Sequence, residues 1–250
     1  MCDAMSCQQP KVTSRRDFLR ATTALSLMTT AGLSGLSPVA WAASPPKPDN
    51  VLTPDAAIQR LMEGNQRYAS GVRLRHNFTH DRAALAGGQN PYAAILGCAD
   101  SRVAPEYTFD AGRGDLFIAR VAGNFANDDM LGSLEYAVAV LNVPVILVLG
   151  HDRCGAVDAA VKAVTQGTHF PGHIQSLANA IAPAVKQAQS QHPTQLLDAA
   201  ITQNVQDNVA SLSTQSAIIR QAQQAGKLKI IGGVYRLDTG KVDFQLKTAS

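Results

Sequence analysis

Two almost uninterrupted apolar runs, Tyr92–Cys98 and Val143–Gly150, constrain this chain more than any other feature. A strand with one wet face alternates apolar and polar residues, so runs of this kind belong to parallel strands covered on both sides. Shorter strands are expected over Asp115–Val121 and Leu228–Tyr235, and Lys241–Leu246 alternates like an edge strand after Asp238-Thr-Gly240. Helical patterns lie between them at Met130–Leu141 and Ala156–Val164. A further helix opens at the Thr53 N-cap with Pro54 at its first position, runs to about Ala69 and stops at Gly71. From Gly172 to about Gly226 the chain is Ala/Gln-rich and helical, with breaks expected at Pro183 and at His192-Pro193. Strands alternating with helices predict an α/β fold. Its central, mainly parallel β-sheet is flanked by helices and carries an antiparallel edge strand.

Chemistry-bearing residues stand where the two apolar runs end. Cys98-Ala-Asp100-Ser-Arg102 closes the first run, and His151-Asp-Arg-Cys154 follows the second. Ligands of open α/β sheets gather outside the carboxyl ends of the strands, so both strings are expected at one crevice. Zinc takes thiolate sulfur and imidazole nitrogen tetrahedrally, and a catalytic zinc keeps three protein ligands and an open fourth position. Cys98, His151 and Cys154 make such a Cys2His set. The competing reading is a disulfide, but His151 lies three residues before Cys154 and polar residues accompany both ends.

Asp100 is close enough to Cys98 to bind the metal itself or to accept a hydrogen bond from whatever fills the fourth position. Arg102 is placed to hold that carboxylate ionised and away from the metal. An isolated Asp-x-Arg would be a surface ion pair; beside a ligand cysteine it reads as part of the site. Gly155 starts a helix whose free amides favour an anion. Asp152 and Arg153 read as supports of the site or as solvated groups. His76, His80, His169, His173 and His192 show no metal spacing with one another; His76 or His80 is at most a candidate proton shuttle.

The first 42 residues point to export. Ser14-Arg15-Arg16-Asp17-Phe18-Leu19-Arg20 is a twin-arginine pattern, Ala21 to about Leu36 is uncharged and apolar, and Ala40-Trp41-Ala42 is a small-x-small cleavage site. The apolar stretch falls short of the roughly 20 residues of a membrane span. Residues 1–42 are therefore expected to be a signal peptide, 43–52 a linker and 53–250 one zinc-binding catalytic domain in the periplasm. Twin-arginine cargo folds before export, so a zinc site could be loaded in the reducing cytoplasm.

Cleavage would remove four of 22 basic and two of 19 acidic residues, leaving 18 and 17 and a net charge near +1. That balance argues against nucleic-acid or polybasic membrane partners, and nothing after Ala42 has the apolarity of a span.

The strings Gly-Cys98-Ala-Asp100-Ser-Arg102-Val, Arg120-Val-Ala-Gly-Asn124, Ser133-Leu-Glu135-Tyr136-Ala-Val and Gly-His151-Asp-Arg-Cys154-Gly-Ala resemble the β-class carbonic anhydrases. The resemblance is strong over about Gly64 to Val161 and weaker near Ile230. It implies one zinc per subunit on Cys98, His151 and Cys154, with Asp100 and Arg102 as a gating pair and Asp100 a fourth ligand in a closed state. It further implies a pocket for CO2 and bicarbonate in a homodimer or tetramer of dimers, with Gln89, Phe117, Ala122, Tyr136 and Gly155 at matching positions. Gln89 would donate to a substrate oxygen, and Phe117 and Tyr136 would form a dry wall. Some members carry a tryptophan three residues before the first cysteine, in a regulatory bicarbonate site; here that residue is Ile95.

The expected reaction is zinc-dependent, reversible hydration of CO2 to bicarbonate and a proton. The alternatives are hydrolysis of carbonyl sulfide or carbon disulfide on the same fold, and a noncatalytic zinc-binding protein. A structural zinc more often closes its fourth position with another protein ligand.

Overall fold

A computed structural model describes residues 48–191 and 194–246, all within one compact unit. The expected signal peptide and its cleavage site lie outside the described residues, as does His192. Of the span read as a linker, residues 48–52 are described. Pro48–Asn50 is a 3-10 turn, and Asn50 is buried, donating from Nδ2 to Asn90 O at 2.7 Å and Asp115 Oδ1 at 3.1 Å.

Five strands form the sheet: β1 (Ala93–Gly97), β2 (Leu116–Arg120), β3 (Val145–His151), β4 (Lys229–Tyr235) and β5 (Val242–Gln245). Their order is β2-β1-β3-β4-β5. Every neighbouring pair is parallel except β4 and β5, which run antiparallel, as the sequence pattern predicts. The chain leaves β1 for β2 on one side and returns to lay β3 on the other. The carboxyl ends of β1 and β3 therefore flank the point where the strand order reverses, the usual ligand crevice of such sheets.

Successive strand residues face opposite sides, which explains the continuous apolar runs. Ala94, Leu96, Ile146 and Val148 enter a core with helices α4 (Asp128–Ala139), α5 (Gly155–Gln166), α6 (Ile174–Gln191), α7 (Leu196–Gln215) and α8 (Ala217–Gln224). Ala93, Ile95, Val145, Leu147 and Leu149 face the other way, against Ala57 and Leu61 of α1 (Pro54–Ala69). Thr53 caps α1, accepting from Ala56 N at 3.3 Å, as its place before Pro54 implies. Asn65 on α1 ties this layer to the helix over Pro105–Thr108 and to the start of β5, donating to Thr108 O and Gly240 O and accepting from Val242 N.

Three features differ from the sequence reading. Short helices α2 (Phe78–Leu85) and α3 (Pro105–Thr108) occupy stretches without a usable apolar period. Helix α4 begins two residues early, because the Asn127 side chain caps Met130 N at 2.9 Å and Asp128 and Asp129 fill the first turn. Pro183 does not break its helix; α6 runs through it. Proline costs a helix one hydrogen bond and a clash with the preceding turn. Ala178, Ile181, Ala184, Val185 and Ala188 are all buried on one face of α6, against α5 and α7, and that packing outweighs the local cost. No helix among the described residues is long and apolar enough to cross a membrane.

Candidate active site

Cys98 follows the last residue of β1, His151 is the last residue of β3, and Cys154 caps the start of α5. Parallel pairing in register sets the two strand ends side by side, so residues 53 apart in sequence meet. The two Sγ atoms and a ring nitrogen lie within 4.8 Å of one another, and all three residues are buried.

The donor set fits a zinc ion. A zinc–sulfur bond of about 2.3 Å at a tetrahedral angle places two sulfurs about 3.8 Å apart; Cys98 Sγ and Cys154 Sγ are 3.9 Å apart. His151 donates from Nδ1 to the Asp152 carbonyl at 2.9 Å, which fixes its tautomer and leaves Nε2 as the ligand atom. That Nε2 is buried and has no hydrogen-bond partner among the described residues. Buried polar atoms are rarely left so, and a metal ion is the partner that imidazole and two sulfurs share.

The cluster also shifts its own proton affinities. The hydrogen bond shared with Cys154 pulls the Cys98 thiol well below the ordinary range against the cost of burial, helped by His151 and the Gly123 amide. Cys154 moves the opposite way, pushed up by the same hydrogen bond and by burial. A divalent cation held between the two sulfurs would favour both as thiolates.

Asp100 stands over the cluster with Oδ2 3.7 Å from His151 Nε2. Arg102 grips it through Nε to Oδ1 at 2.9 Å and Nη2 to Oδ2 at 2.7 Å, and its backbone N–H adds a third bond at 2.9 Å. The Arg102 guanidinium holds the Asp100 carboxyl at about 2, against a smaller opposing effect of burial. Arg102 Nη2 also reaches Arg153 O at 3.3 Å, joining the two motif loops. The pair is bidentate, with the Arg102 side chain 52% and the Asp100 side chain 17% exposed.

The other pocket positions are less gathered. Phe117 on β2 and Tyr136 on α4 are neighbours, with ring centroids 6.3 Å apart, and Tyr136 is 43% exposed. Ala122 is half-buried in the loop after β2, and Gly155 is exposed as the first residue of α5. Gln89 is exposed in the loop before β1, and no described hydrogen bond or ion pair ties it to the cluster. Ile95 is fully buried in the sheet. His76 lies beside the buried carboxylate of Asp110 at 3.6 Å rather than at the cluster, and the His80 side chain lies outside the described set. Asp152 accepts from Leu237 N at 2.9 Å, so it supports the loop carrying His151 rather than standing in solvent.

Arg120 was legible only as a letter in a motif, yet it organises the loop from Cys98 to Val103. Its guanidinium donates to the carbonyls of Cys98, Asp100 and Val103 at 2.7, 2.6 and 2.8 Å. Gly123 was missed in the same way: its N–H donates to Cys98 Sγ at 3.3 Å, from a backbone with φ of +88° where any side chain would collide with Ile181.

A family profile described as carbonic anhydrase matches residues 93–242, spanning all three residues of the cluster and strands β1 to β4. The chain belongs to the carbonic anhydrase family. Carbonic anhydrase 2 of Mycobacterium tuberculosis is 44% identical over 189 residues, covering 75% of this chain and 91% of that protein. The carbonic anhydrase of Mycolicibacterium smegmatis is 39% identical, over 77% of this chain and 93% of its own length. Among solved structures, a Coccomyxa β-carbonic anhydrase in complex with acetazolamide is similar at 28% identity and a TM-score of 0.59, covering 78% of this chain and 84% of that one. The β-carbonic anhydrase CcaA is similar at 27% identity and a TM-score of 0.61, over 76% and 91%. Family and fold together make this carbonic anhydrase a lyase-type enzyme of the β class, and its Cys-His-Cys cluster is compatible with the zinc such enzymes use.

Proposed function

We propose that this protein hydrates CO2 reversibly to bicarbonate and a proton, with one zinc ion per subunit on Cys98, His151 and Cys154. The observation that carries this reading is the three-donor cluster whose open side faces Asp100, itself held ionised by Arg102. Zinc bound there supplies Lewis acidity that makes a nucleophile available near neutral pH, an effect for which carbonic anhydrases are themselves the standard example.

The protein's own groups do the rest. His151 keeps its Nδ1 proton on the Asp152 carbonyl, so Nε2 stays a ligand. Asp100 offers a charged oxygen that accepts the proton of a nucleophile beside the cluster and so turns a lone pair toward the substrate carbon. Phe117, Tyr136 and Ala122 exclude water from a small apolar gas, Gln89 donates to one of its oxygens, and the Gly155 amide end of α5 favours the anionic product. Tyr136 and Gln89 are both exposed in the single chain, which supports a pocket completed by a second copy. Purified protein should contain one zinc per chain, have the solution mass of a dimer or larger, and accelerate CO2 hydration in stopped flow. Fast hydrolysis of carbonyl sulfide with no CO2 hydration would replace this reading by the sulfur-substrate one. A zinc-loaded protein inert to both gases would leave only a binding role.

We further propose that residues 1–42 send the folded enzyme to the periplasm. The Arg15-Arg16 pair ahead of an uncharged apolar stretch supports this. Protein carrying both Arg15→Lys and Arg16→Lys should stay in the cytoplasm, whereas the parent should be recovered from the periplasm starting at Ala43. Equal export of the two would remove the twin-arginine route.

A further inference from the structure

Helix α7 lies outside all four sequence motifs, yet two of its buried side chains reach into the loop that touches the cluster. Asn204 and Asn208 are one turn apart and face the same way, at 2% and 9% exposure. Asn204 donates from Nδ2 to the Gly123 carbonyl at 2.8 Å. Asn208 accepts from Ala126 N at 2.8 Å and donates back to Asn204 O at 2.8 Å and Oδ1 at 3.3 Å. The loop so held turns through left-handed backbone, with Gly123 at φ +88° and Asn124 at φ +44°. Its Gly123 N–H is the donor to Cys98 Sγ.

We propose that Asn204 and Asn208 are positioning residues of the metal centre: they clamp the 123–126 loop so that the Gly123 amide stays on the Cys98 sulfur. Glycine and asparagine enter this region readily and leave it as readily, so the loop's conformation is fixed by what bonds to it rather than by its own residues. Among the described residues no other hydrogen bond from α7 reaches this loop, and Val205 and Val209, each next in sequence to one of the asparagines, pack into the apolar core. A hydrogen bond to a ligand sulfur withdraws electron density from it and fixes its direction, which tunes both the strength and the lifetime of the metal–thiolate bond. The asparagines act through Gly123 and touch neither substrate nor metal. The inference rests on Cys98 being a zinc ligand, as proposed above.

The test uses the full chain with cobalt(II) in place of zinc, together with the native zinc form. Asn204→Ala should shift the thiolate-to-cobalt charge-transfer band to longer wavelength and speed zinc release to a chelator about tenfold or more. Asn208→Asp keeps the acceptor for Ala126 N but loses both donors to Asn204, and should produce the same changes at smaller size. Val209→Ala, a cavity on the same helix, controls for instability alone: it should lower Tm with the band and the release rate unmoved. A parental band and parental zinc release in both asparagine variants would overturn the clamp, as would equal changes in Val209→Ala. If Asn204→Ala does not fold, Asn208→Asp against Val209→Ala decides. Failure of the parent to show any thiolate-to-cobalt band would instead overturn the ligand assignment, so the two readings fail separately.

Discussion

Alanine at Cys98, His151 or Cys154 is expected to remove zinc and activity together. Each residue supplies one of three donors to the cluster, and the chain has only two further cysteines, Cys2 and Cys7, both within the proposed signal. Loss of one donor leaves two ligands for an ion that takes four, so zinc per chain should fall from one toward zero and hydration to the solvent background. Stability should fall too. A ligand that binds only the folded state raises the apparent unfolding free energy by mass action, and a structural share of that binding is forfeited with the metal. His151 is fully buried, so its removal also opens a hole beneath Asp100. Treating the parent with a strong chelator should bring its Tm close to that of the variants, and restoring zinc should recover only the parent. Metal analysis, stopped-flow assay and thermal unfolding read the three quantities. Normal zinc and turnover in any one variant would sink the assignment.

How much of this was legible in the sequence depends on where each signal resides. The sheet could be read because burial on both faces forces continuous apolar runs, and those runs end within two residues of β1 and β3 as observed. The Cys98, His151 and Cys154 cluster could be read because two cysteines and a histidine stand at or just past the ends of the two apolar runs, and strand register brings those ends together. Asp100 and Arg102 were equally legible, since both sit on the loop that leaves β1.

What the letters concealed is held by backbone atoms. Gly123 acts through an N–H that every residue but proline possesses, and only its φ of +88° and the nearness of Ile181 reveal why glycine stands there. Arg120 acts on three carbonyls, which leave no trace in side-chain patterns. Asn204 and Asn208 bond to residues 81 and 82 positions away, from a helical stretch that carries no motif of its own. Pro183 misled in the opposite sense, because a local helix penalty was weighed without the apolar face that overrides it.

Loss of the Arg102 side chain is expected to shut the enzyme while leaving its zinc in place. In Arg102→Ala the three cluster donors are untouched, so metal content should match the parent. Asp100 loses its bidentate partner, and its carboxyl rises from about 2 toward the ordinary carboxylate range. A carboxylate is ionised at neutral pH at either value, so the defect above about pH 6 cannot be protonation. It must come from where the freed carboxylate goes. Its Oδ2 already lies 3.7 Å from His151 Nε2, and a released side chain can close onto the fourth zinc position and keep solvent and substrate off it. Turnover should drop about a hundredfold or more, the range seen when one preorganised electrostatic group is lost. Asp100→Asn tests the other half of the pair. It also keeps zinc, but its neutral amide is a weaker ligand and a poorer acceptor, so it should be slow without being closed. A structure of Arg102→Ala at neutral pH should show Asp100 turned toward the metal, and one of Asp100→Asn should leave that position open. Parental turnover in Arg102→Ala, or an open fourth position in its structure, would strip the pair of its gating role and return it to an ion pair at the rim.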